Sequence, residues 1–566
     1  MQSLSPALPE EVDALVVGAG AAGMTAALAC RAKGFTVLVV EATDQVGGTT
    51  ATSAGTLWLP GALGGADAAE VQKLRSEART YLLESIGSKA DIRKIDALLE
   101  SGADLLAFLN DFTEVKLDQV AAHPDYLQHL NGSSLGGRAF APREFDGRLL
   151  GNDFSRIRAP MPEFMVFGGM MVSKADIPLL LAAHREPKAL MHALKLGLRY
   201  AADRVAGRRG TRLVMGNALV AQLFSSALKR GVSFAFETRV AQLSRSAVGF
   251  KARLQTGSGD VSVRAGKGVI LAAGGFSGNA ELRKKWLPRP AVKRTVAHAG
   301  NDGGGIELGL SLNAAVEADH GGNAFWMPVS TMRRTDGSVA HFPHIALDRA
   351  KPGSLAVDAS GQRFTNEANS YHHFCEAMLA RAADNDNDRF FLIADMAFVQ
   401  RYGMGMIRPT ARPARRFTEC DYLIRANSPR ALATQLSVDG LTLEQTLARY
   451  NENAGNGVDP DFHRGESALN RHNGDALLHG PNPCLRALDL SDLCAVELTV
   501  ADLGTSAGLA TDDRARVLNQ SSHPIPGLYA CGNDMASMMQ GAYPGPGTTL
   551  GPGMTFAWRA VEDLCS

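Results

Sequence analysis

The chain has 566 residues, of which 45 % are hydrophobic, and it carries 58 basic and 58 acidic side chains. This length exceeds what one hydrophobic core supports, so we expect several domains, and the balanced charge argues against nucleic acid or a bulk anionic membrane as the main partner. Seven cysteines without a CxxC pair, and a start (MQSLSPALPE) without a basic or apolar stretch, argue against a disulfide framework, a zinc or iron–sulfur site and secretion, which favours a cytoplasmic protein.

A strand, a glycine loop, a helix and a second strand open the chain. Residues 13–17 (DALVV) predict a buried parallel strand, 24–33 an alanine-rich helix, and 35–40 (FTVLVV) a second strand. The loop reads GxGxxG, in which the first glycine permits the turn, the second lets backbone approach a pyrophosphate, and the third lets the helix pack on the strand. The expected contacts are Gly18, Gly20, Ala21, Ala22, Gly23 and, for the ribose hydroxyls, Glu41. This complete context favours a dinucleotide site over a glycine-rich structural turn.

The next loop indicates which dinucleotide binds. The segment 46–55 (VGGTTATSAG) resembles the second phosphate and isoalloxazine loop of flavoproteins. The resemblance implies that the cofactor is non-covalently bound FAD rather than NAD. The residues of this loop expected to contact FAD are Gly48, Thr49, Thr50, Ser53, Ala54 and Gly55.

Helical patterns and loops alternate after this unit. Residues 66–115 have a helical pattern, 116–172 are rich in loops, and 213–229 predict another helix. Residues 178–209 carry a helical stripe whose apolar members are Leu190, Leu194, Leu198, Ala202 and Val205, with Lys188, Lys195, Arg199, Arg204, Arg208 and Arg209 between them. One interpretation is an interfacial helix for a lipophilic substrate, with peripheral membrane contact. The interpretation we favour is a helix that packs on its own domain and exposes a basic face.

Three later segments complete the predicted cofactor domain. Residues 232–254 predict strands, as in the β-meander of a flavin domain, and 267–278 (KGVILAAGGFSG) a strand that ends in a glycine turn. This turn resembles an ATGG-type turn beside FAD, the alternative being an ordinary buried strand. Residues 525–533 (IPGLYACGN) predict a strand followed by a helix over 549–562. The expected FAD contacts are Ala273, Gly274, Gly532, Asn533, Thr549 and Leu550.

These segments divide the chain into three parts. We expect a first part of an FAD-binding domain over 8–290, a catalytic domain over 291–503, and a second part of the FAD-binding domain over 504–566. The FAD domain is therefore predicted to be discontinuous.

Three motifs carry a resemblance to a known family. They are HPDY at 123–126, RFTNEANSY at 363–371 and GAYPGPGTTLG at 541–551. On these motifs the chain resembles the fumarate reductase and 3-ketosteroid 1-dehydrogenase flavoproteins, and the third motif is typical of the dehydrogenase branch. The resemblance implies an α/β fold in which a glutathione-reductase-like Rossmann FAD domain contains an inserted α+β catalytic domain.

The same resemblance implies roles for four residues. Tyr543 and the backbone N–H of Gly547 would hold the ketone oxygen of a substrate, and Tyr371 would take the α proton. Tyr126 would assist the ionisation of Tyr371, while the β hydride goes to the flavin.

Chemistry supports this division of roles but leaves one difficulty. Removing a weakly acidic C–H proton beside a ketone requires stabilisation of the enolate, and each donor aimed at the oxygen is worth roughly 10²–10³ in rate. A tyrosine base is harder to justify because its ordinary pKa is about 10, so a neighbour must lower it. His372 and His373 follow Tyr371 directly and are the alternative bases, because histidine titrates nearer neutrality.

Four functional hypotheses remain open. The first is 1,2-dehydrogenation of a 3-ketosteroid, with electrons passed to an artificial or quinone-type acceptor, and the second is a 5α-steroid 4-dehydrogenase or a desaturase of another cyclic ketone. The third is a fumarate-reductase-like enoate reductase, and the fourth is a flavoprotein subunit that passes electrons without a substrate of its own. The extra sequence between Tyr126 and Tyr371, notably around 164–171, bears on the choice of substrate.

Overall fold

Two large β-sheets organise the part of the chain that the computed structural model describes. That part comprises residues 8–62, 67–173, 175–183, 186–207, 209–334, 336–345, 348–385, 387–410, 412–413 and 415–565. Residues 1–7 and Arg208 are not among the described residues. Residues 1–7 form most of the segment in which we expect no secretory signal, and Arg208 belongs to the predicted basic helix.

Helices and strands follow one another along most of the chain. Up to residue 290 they are β1 (Glu11–Val17), α1 (Ala21–Ala32), β2 (Val37–Val40), β3 (Leu57–Trp58), α2 (Ala68–Ile86), α3 (Ile92–Phe112), β4 (Leu117–Val120), β5 (Ala139–Pro142), β6 (Phe145–Asp146), β7 (Met165–Val166), β8 (Met170–Met171), α4 (Asp176–Ala182), α5 (Pro187–Val205), β9 (Arg212–Leu213), α6 (Met215–Lys229), β10 (Ser233–Ala235), β11 (Arg239–Arg245), β12 (Phe250–Thr256), β13 (Gly259–Leu271) and α7 (Ala280–Trp286). From there to residue 505 they are α8 (Gly304–Ser311), β14 (Val316–Glu317), β15 (Ala324–Arg333), β16 (Val339–Pro343), β17 (Ser354–Asp358), α9 (Tyr371–Asn385), β18 (Phe390–Asp395), α10 (Met396–Tyr402), α11 (Arg416–Glu419), β19 (Ile424–Ala426), α12 (Pro429–Leu436), α13 (Gly440–Asn456), α14 (Ala468–Asn473) and β20 (Leu493–Thr505). The last elements are β21 (Gly508–Leu509), β22 (Arg516–Leu518), β23 (Pro524–Ala530) and α15 (Leu550–Leu564).

The first sheet joins the two ends of the sequence. Its parallel strands lie in the order β10, β2, β1, β13 and β23. The central strands β1 and β2 are short, apolar and mostly buried, as expected for parallel strands covered by helices. The N-terminal half of β13 pairs antiparallel with β12, and β12 pairs with β11, which forms the predicted β-meander. The parallel sheet and the packing of α1 against α15 confirm the predicted α/β fold class.

The second sheet supplies much of the predicted catalytic part. Its strands lie in the order β16, β15, β20, β18 and β17, and β20 also pairs with β19. The long strand β20 leads back to the first sheet, because a Cβ on Gly275, just after β13, would lie 2.2 Å from the Thr505 hydroxyl at the end of β20. The two sheets therefore meet at the glycine turn after β13, which lies against the C-terminal end of β20. The proposed domain boundaries stay a prediction.

Most predicted elements are present with shifted ends. The first helix begins at Ala21 rather than at residue 24, because the helix starts inside the glycine motif. The second strand begins at Val37, after a turn through Gly34, whose φ is +80°. The segment 66–115 forms two helices, α2 and α3, separated at Gly87.

Helix α5 packs on its own domain and exposes basic residues, as we favoured for residues 178–209, but it packs through the face opposite to its leucine stripe. Its buried residues are Ala189, Leu196 and Asp203, whereas its large apolar side chains face solvent, with exposed fractions from 48 % for Leu190 to 91 % for Val205. The leucine stripe therefore faces solvent, and the opposite side of the helix, which carries the three buried residues, packs on the domain.

Among the described residues, no helix combines the length and the hydropathy that crossing a membrane requires.

Candidate active site

Three tyrosines from distant parts of the chain meet at one point. Tyr126 lies in the loop between β4 and β5, Tyr371 is the first residue of α9, and Tyr543 lies in the loop before α15. The ring centroids of Tyr126 and Tyr371 are 5.7 Å apart, those of Tyr371 and Tyr543 5.4 Å, and those of Tyr126 and Tyr543 5.9 Å. Tyr371 and Tyr543 are buried, whereas Tyr126 is partly exposed. The structure thus brings together the three side chains that the motifs predicted separately.

Backbone contacts hold two of the tyrosine loops together. The backbone N–H of Tyr126 donates to the carbonyl oxygen of Pro544 over 2.8 Å. The hydroxyl of Tyr81 donates to the same oxygen over 2.6 Å and accepts from the N–H of Leu127 over 3.1 Å. A shift of either loop would therefore move both Tyr126 and Tyr543.

A buried ion pair fixes the Tyr126 loop from the other side. The carboxylate of Asp125 accepts from Arg138 over 2.5 Å and from the indole N–H of Trp58 over 3.1 Å. All three side chains are buried. Burial of such a carboxylate is favourable only when it is paired and hydrogen-bonded, and Asp125 meets both conditions. The sequence reasoning missed Asp125, although it stands inside the HPDY motif.

Gly547 occupies a position that only glycine fits. Its φ is +93°, and a Cβ added there would lie 2.3 Å from the carbonyl oxygen of Thr56 and 2.8 Å from the backbone nitrogen of Trp58. Its carbonyl oxygen accepts from the N–H groups of Trp58, over 3.1 Å, and of Gly551, over 3.0 Å. The backbone around the predicted second donor is therefore rigidly held.

The protein groups around Tyr371 raise its pKa, which contradicts the expectation that Tyr126 lowers it. Burial raises the pKa of Tyr371 well above its ordinary value, and the hydroxyls of Tyr126 and Tyr543 raise it further. Burial also raises the pKa of Tyr126, and it raises the pKa of Tyr543 to about 12, while hydroxyl interactions with Tyr371 and Thr549 work in the opposite direction at Tyr543. The largest cause in all three tyrosines is desolvation, which disfavours the charged phenolate. Tyr371 is thus a strong base once ionised, and Tyr543 is the more acidic donor.

The two histidines beside Tyr371 are poorly suited to act as the base. The Nδ1 atom of His372 accepts from the backbone N–H of Trp326 over 3.0 Å, so this nitrogen is already engaged and is not free to accept a substrate proton. Burial lowers the pKa of His373 to about 4, and its Nδ1 lies 2.5 Å from the Ser370 hydroxyl. Tyr371 is the better candidate of the three.

The glycine motif has the shape that a dinucleotide requires. A Cβ on Gly18 would lie 2.4 Å from the carbonyl oxygen of Ala272, and one on Gly23 would lie 2.0 Å from that of Gly18. A Cβ on Gly20, by contrast, would meet nothing within 4 Å. Gly20 is also the N-cap of α1, which has no side-chain cap and no acidic residue in its first turn. The open glycine at an uncapped helix N-terminus fits a bound pyrophosphate.

The predicted second loop packs against this helix. The Thr50 hydroxyl accepts from the N–H of Ala21 over 3.3 Å, and the Thr49 hydroxyl accepts from the N–H of His298 over 2.9 Å. Gly48 has a φ of +45° with open space around its Cβ position. The other members of the loop are Ser53, which accepts from the N–H of Gly55, and Ala54, which is exposed.

The Glu41 side chain accepts hydrogen bonds from its own loop. One carboxylate oxygen accepts from the N–H of Ala19 over 3.0 Å, and the other from the N–H and hydroxyl of Thr43 over 3.0 and 2.9 Å. These contacts hold the carboxylate at the end of β2, beside the glycine loop. Its contact with ribose stays a prediction.

A buried aspartate, which the sequence reasoning missed, links the last two predicted cofactor segments. The carboxylate of Asp534 accepts from the N–H of Ala273 over 2.6 Å and from the N–H of Gly275 over 2.9 Å. Burial raises the pKa of Asp534 to about 6. Through these two bonds the ACGN segment and the turn around Gly274 hold one another. Its position directly after Asn533 was the only signal in the sequence.

A small cavity of about 20 Å³ lies beside the ACGN segment and the start of α15. Its lining residues are Phe325, Gly532, Asn533, Met535, Ser537, Met538, Thr548, Thr549, Pro552, Gly553 and Phe556. Three predicted cofactor contacts, Gly532, Asn533 and Thr549, face this space, and Leu550 next to them begins α15 and is partly buried. The ring of Phe325 also packs on that of Tyr543, with centroids 5.3 Å apart, so the cavity adjoins the tyrosine cluster.

Comparisons with known proteins show the family of this chain. A family model described as FAD binding domain matches residues 13–550. The chain is 36 % identical to the 4-oxocyclohex-2-ene-1-carboxylate 5-dehydrogenase of Sinomonas cyclohexanicum, over 98 % of this chain and 93 % of that protein. It is 34 % identical to the 3-oxosteroid 1-dehydrogenase of Mycolicibacterium smegmatis, over 98 % of both chains. The crystal structure of the 3-ketosteroid Δ1-dehydrogenase from Sterolibacterium denitrificans with 1,4-androstadiene-3,17-dione is similar with a TM-score of 0.89 and 32 % identity, over 98 % of this chain and 99 % of that one.

Proposed function

This chain belongs to the FAD-binding-domain family, in the branch of the 3-oxosteroid 1-dehydrogenases, and on that premise we propose that it introduces a double bond beside the carbonyl of a cyclic ketone. It is an FAD-dependent oxidoreductase that acts on CH–CH groups. The observation that carries the proposal is the convergence of Tyr126, Tyr371 and Tyr543 beside the cavity at α15.

Two groups of this chain stabilise the enolate. The Tyr543 hydroxyl and the Gly547 N–H donate to the ketone oxygen, where negative charge develops when the α proton leaves. The relatively low pKa of Tyr543 within the cluster makes it the stronger donor among the tyrosines, since a more acidic hydroxyl forms a stronger bond to a developing oxyanion. Bound FAD supplies the two-electron acceptor for the reaction.

Tyr371 takes the α proton. Its raised pKa makes the phenolate a strong base, which suits a weakly acidic C–H group, but it also makes the phenolate scarce near neutral pH. Tyr126 interacts with Tyr371 through the hydroxyls and is the more exposed of the two. We infer that the proton on Tyr371 is exchanged with solvent through Tyr126.

The substrate is proposed to be a 3-ketosteroid, with 1,2-dehydrogenation as the reaction. One alternative is that the substrate is a smaller cyclic ketone, which the similarity to the 4-oxocyclohex-2-ene-1-carboxylate 5-dehydrogenase supports. Another alternative is 4-dehydrogenation of a 5α-steroid. A fumarate-reductase-like reaction is the remaining alternative. The electron acceptor of the turnover is proposed to be of the quinone type.

An anaerobic substrate panel tests this proposal. The purified protein is mixed with androst-4-ene-3,17-dione, with a 5α-3-ketosteroid and with 4-oxocyclohex-2-ene-1-carboxylate, and the loss of oxidised-flavin absorbance is followed. We expect bleaching with at least one ketone and a product two mass units lighter, whose double-bond position identifies the reaction. Bleaching by no ketone, or oxidation of a reduced dye by fumarate alone, would contradict the proposal.

The exposed face of α5 supports peripheral contact with an anionic lipid surface. Its apolar members are Leu190, Met191, Leu194, Leu198 and Val205, and they form one side of the helix. The described part of this helix also exposes three basic residues, Lys188, Lys195 and Arg204. The exposed acidic residue beside them is Glu186 at the N-cap. An apolar face with basic residues at its border is typical of helices that lie in a membrane interface.

Vesicle binding tests this contact. We expect the protein to sediment with vesicles that contain phosphatidylglycerol, less so at high salt, and the double variant Leu194→Glu, Leu198→Glu to bind at least tenfold more weakly. Leu441→Glu on α13, where the leucine is also exposed, is the matched control and should bind normally. Equal binding by wild type and double variant, or a concentration-dependent dimer in place of vesicle binding, would overturn it.

A further inference from the structure

An irregularity in the second sheet frees one backbone donor beside the tyrosine cluster. In the pairing of β15 with β20, Phe325 lies opposite Gly504 and Trp326 opposite Asp502, so Leu503 has no partner of its own. Such bulges redirect backbone groups and are frequent next to active sites. Here the N–H of Trp326 donates to Nδ1 of His372 over 3.0 Å.

This bond fixes the orientation of the His372 ring. Nδ1 accepts from Trp326, and Nε2 at the other side of the ring lies 3.3 Å from a carboxylate oxygen of Glu376. The side chain of His372 is fully buried, so water cannot take the place of the Trp326 donor. The His372 ring is therefore held in one orientation.

The held ring lies against Tyr543. The centroids of His372 and Tyr543 are 5.4 Å apart with an interplanar angle of 27°, and Tyr126 stacks on the same phenol at 5.9 Å and 14°. Phe325 and Tyr371 meet the phenol edge-on, at 76° and 66°. Among these four neighbours, His372 is the one whose orientation is fixed by a hydrogen bond from the sheet.

We propose that His372 is a positioning residue for Tyr543: the bulge at Trp326 fixes the imidazole, and the imidazole fixes the phenol whose hydroxyl holds the substrate oxygen. The role in catalysis rests on the proposed function, whereas the positioning itself does not. A donor displaced by a fraction of an ångström stabilises an oxyanion less, because the effect depends on a pre-set geometry.

A spectroscopic test reports on the positioning without turnover. The holoenzyme is labelled with 3-fluorotyrosine, and the Tyr543 fluorine resonance, one of nine, is assigned from its loss in Tyr543→Phe. We expect His372→Gln to shift or split this resonance and the matched control His373→Gln, on the next residue of the same helix, to leave it unchanged. An unchanged Tyr543 resonance in His372→Gln would overturn the proposal. If that variant does not fold, His372→Phe, which keeps a ring but not the acceptor, takes its place under the same criteria.

A double-variant cycle then tests the consequence for catalysis. With a ketone that bleaches the flavin, His372→Gln should lower kcat at least tenfold with KM changed less than threefold and FAD still bound. In a Tyr543→Phe background the same substitution should lower kcat less than twofold, because its effect acts through the Tyr543 hydroxyl, which that background already lacks. A loss of the same size in both backgrounds would overturn the positioning role. If wild type oxidises no ketone, the proposed function fails, while the fluorine measurement still decides the positioning.

Discussion

The backbone N–H of Tyr126 donates a 2.8 Å hydrogen bond to the carbonyl oxygen of Pro544, the residue that follows Tyr543. Two tyrosines more than 400 positions apart in the sequence are thereby fixed relative to one another through their main chains. The proposed chemistry depends on this relationship, because the group that exchanges the proton and the group that holds the ketone oxygen must keep their spacing during the reaction.

Replacing Gly547 should slow turnover strongly. A Cβ at this position would overlap with the carbonyl of Thr56, 2.3 Å away, and a φ of +93° strains any other residue. We expect Gly547→Ala to lower kcat at least a hundredfold, measured as the rate of flavin bleaching by a ketone. The control is Gly87→Ala, where φ is +73° but nothing lies within 4 Å of the Cβ position. An equal loss of kcat in both variants would mean that backbone strain, rather than a role of Gly547 in the site, causes the loss.

Removing the Asp125 carboxylate should destabilise the protein strongly. Asp125→Ala leaves Arg138 buried without its anion, and breaking a buried pair in this way typically costs about 3–5 kcal/mol. A thermal-unfolding scan should show a clear drop in Tm, accompanied by slower turnover because the Tyr126 loop loses its anchor. Asp118→Ala removes the exposed pair with Arg143 and serves as control, with an expected cost of about 0–1 kcal/mol. A Tm of Asp125→Ala within the range of that control would contradict the anchoring role.

Asp534 should make stability depend on pH in a defined window. Burial raises its pKa to about 6 from the ordinary value of 3.8, so the folded state holds the proton more tightly than the unfolded chain does. Its contribution to stability is therefore full below pH about 4 and is lost as the pH rises to about 6, a change of about 3 kcal/mol. The stability of wild type relative to Asp534→Asn should fall over this range and then level off, as measured by Tm. A difference that stays constant from pH 4 to 7 would argue against a buried titrating carboxylate, and Asp44→Asn is the exposed control.

The rate should rise with pH well beyond neutrality. Because burial and the neighbouring hydroxyls raise the pKa of Tyr371, the fraction of phenolate keeps increasing as the pH approaches and passes the ordinary tyrosine value of about 10. We expect kcat/KM, which reports groups of the free enzyme, to increase over the whole range in which the protein stays folded. A plateau reached near neutral pH would indicate a different base, such as a histidine.

Local patterns predicted the cofactor half of this molecule well. The GxGxxG loop, the β-meander and the ACGN strand depend on short-range spacing, and each lies at or within a few residues of its expected position. Helix α5 shows the limit of such reasoning. The spacing of its leucines predicted an amphipathic helix, but tertiary packing decides which face meets protein, and the helix packs through Ala189, Leu196 and Asp203 rather than through its leucine stripe.

The candidate site could be predicted only as separate pieces. The three tyrosines were found because each lies in a family-like motif, but nothing local states that they meet. Asp125, which anchors the Tyr126 loop, and Asp534, which links the ACGN segment to the turn around Gly274, were missed because they act through contacts between distant segments. The direction of the Tyr371 pKa was also missed, since it depends on burial that only the assembled cluster creates.

The substitution Tyr543→Phe tests the central claim most directly. The variant keeps the stacked ring and loses only the hydroxyl proposed to hold the ketone oxygen, so anaerobic flavin bleaching by a ketone should slow at least a hundredfold, roughly the worth of one oxyanion donor, while the visible spectrum shows FAD still bound. Bleaching by Tyr543→Phe at the wild-type rate would contradict the account.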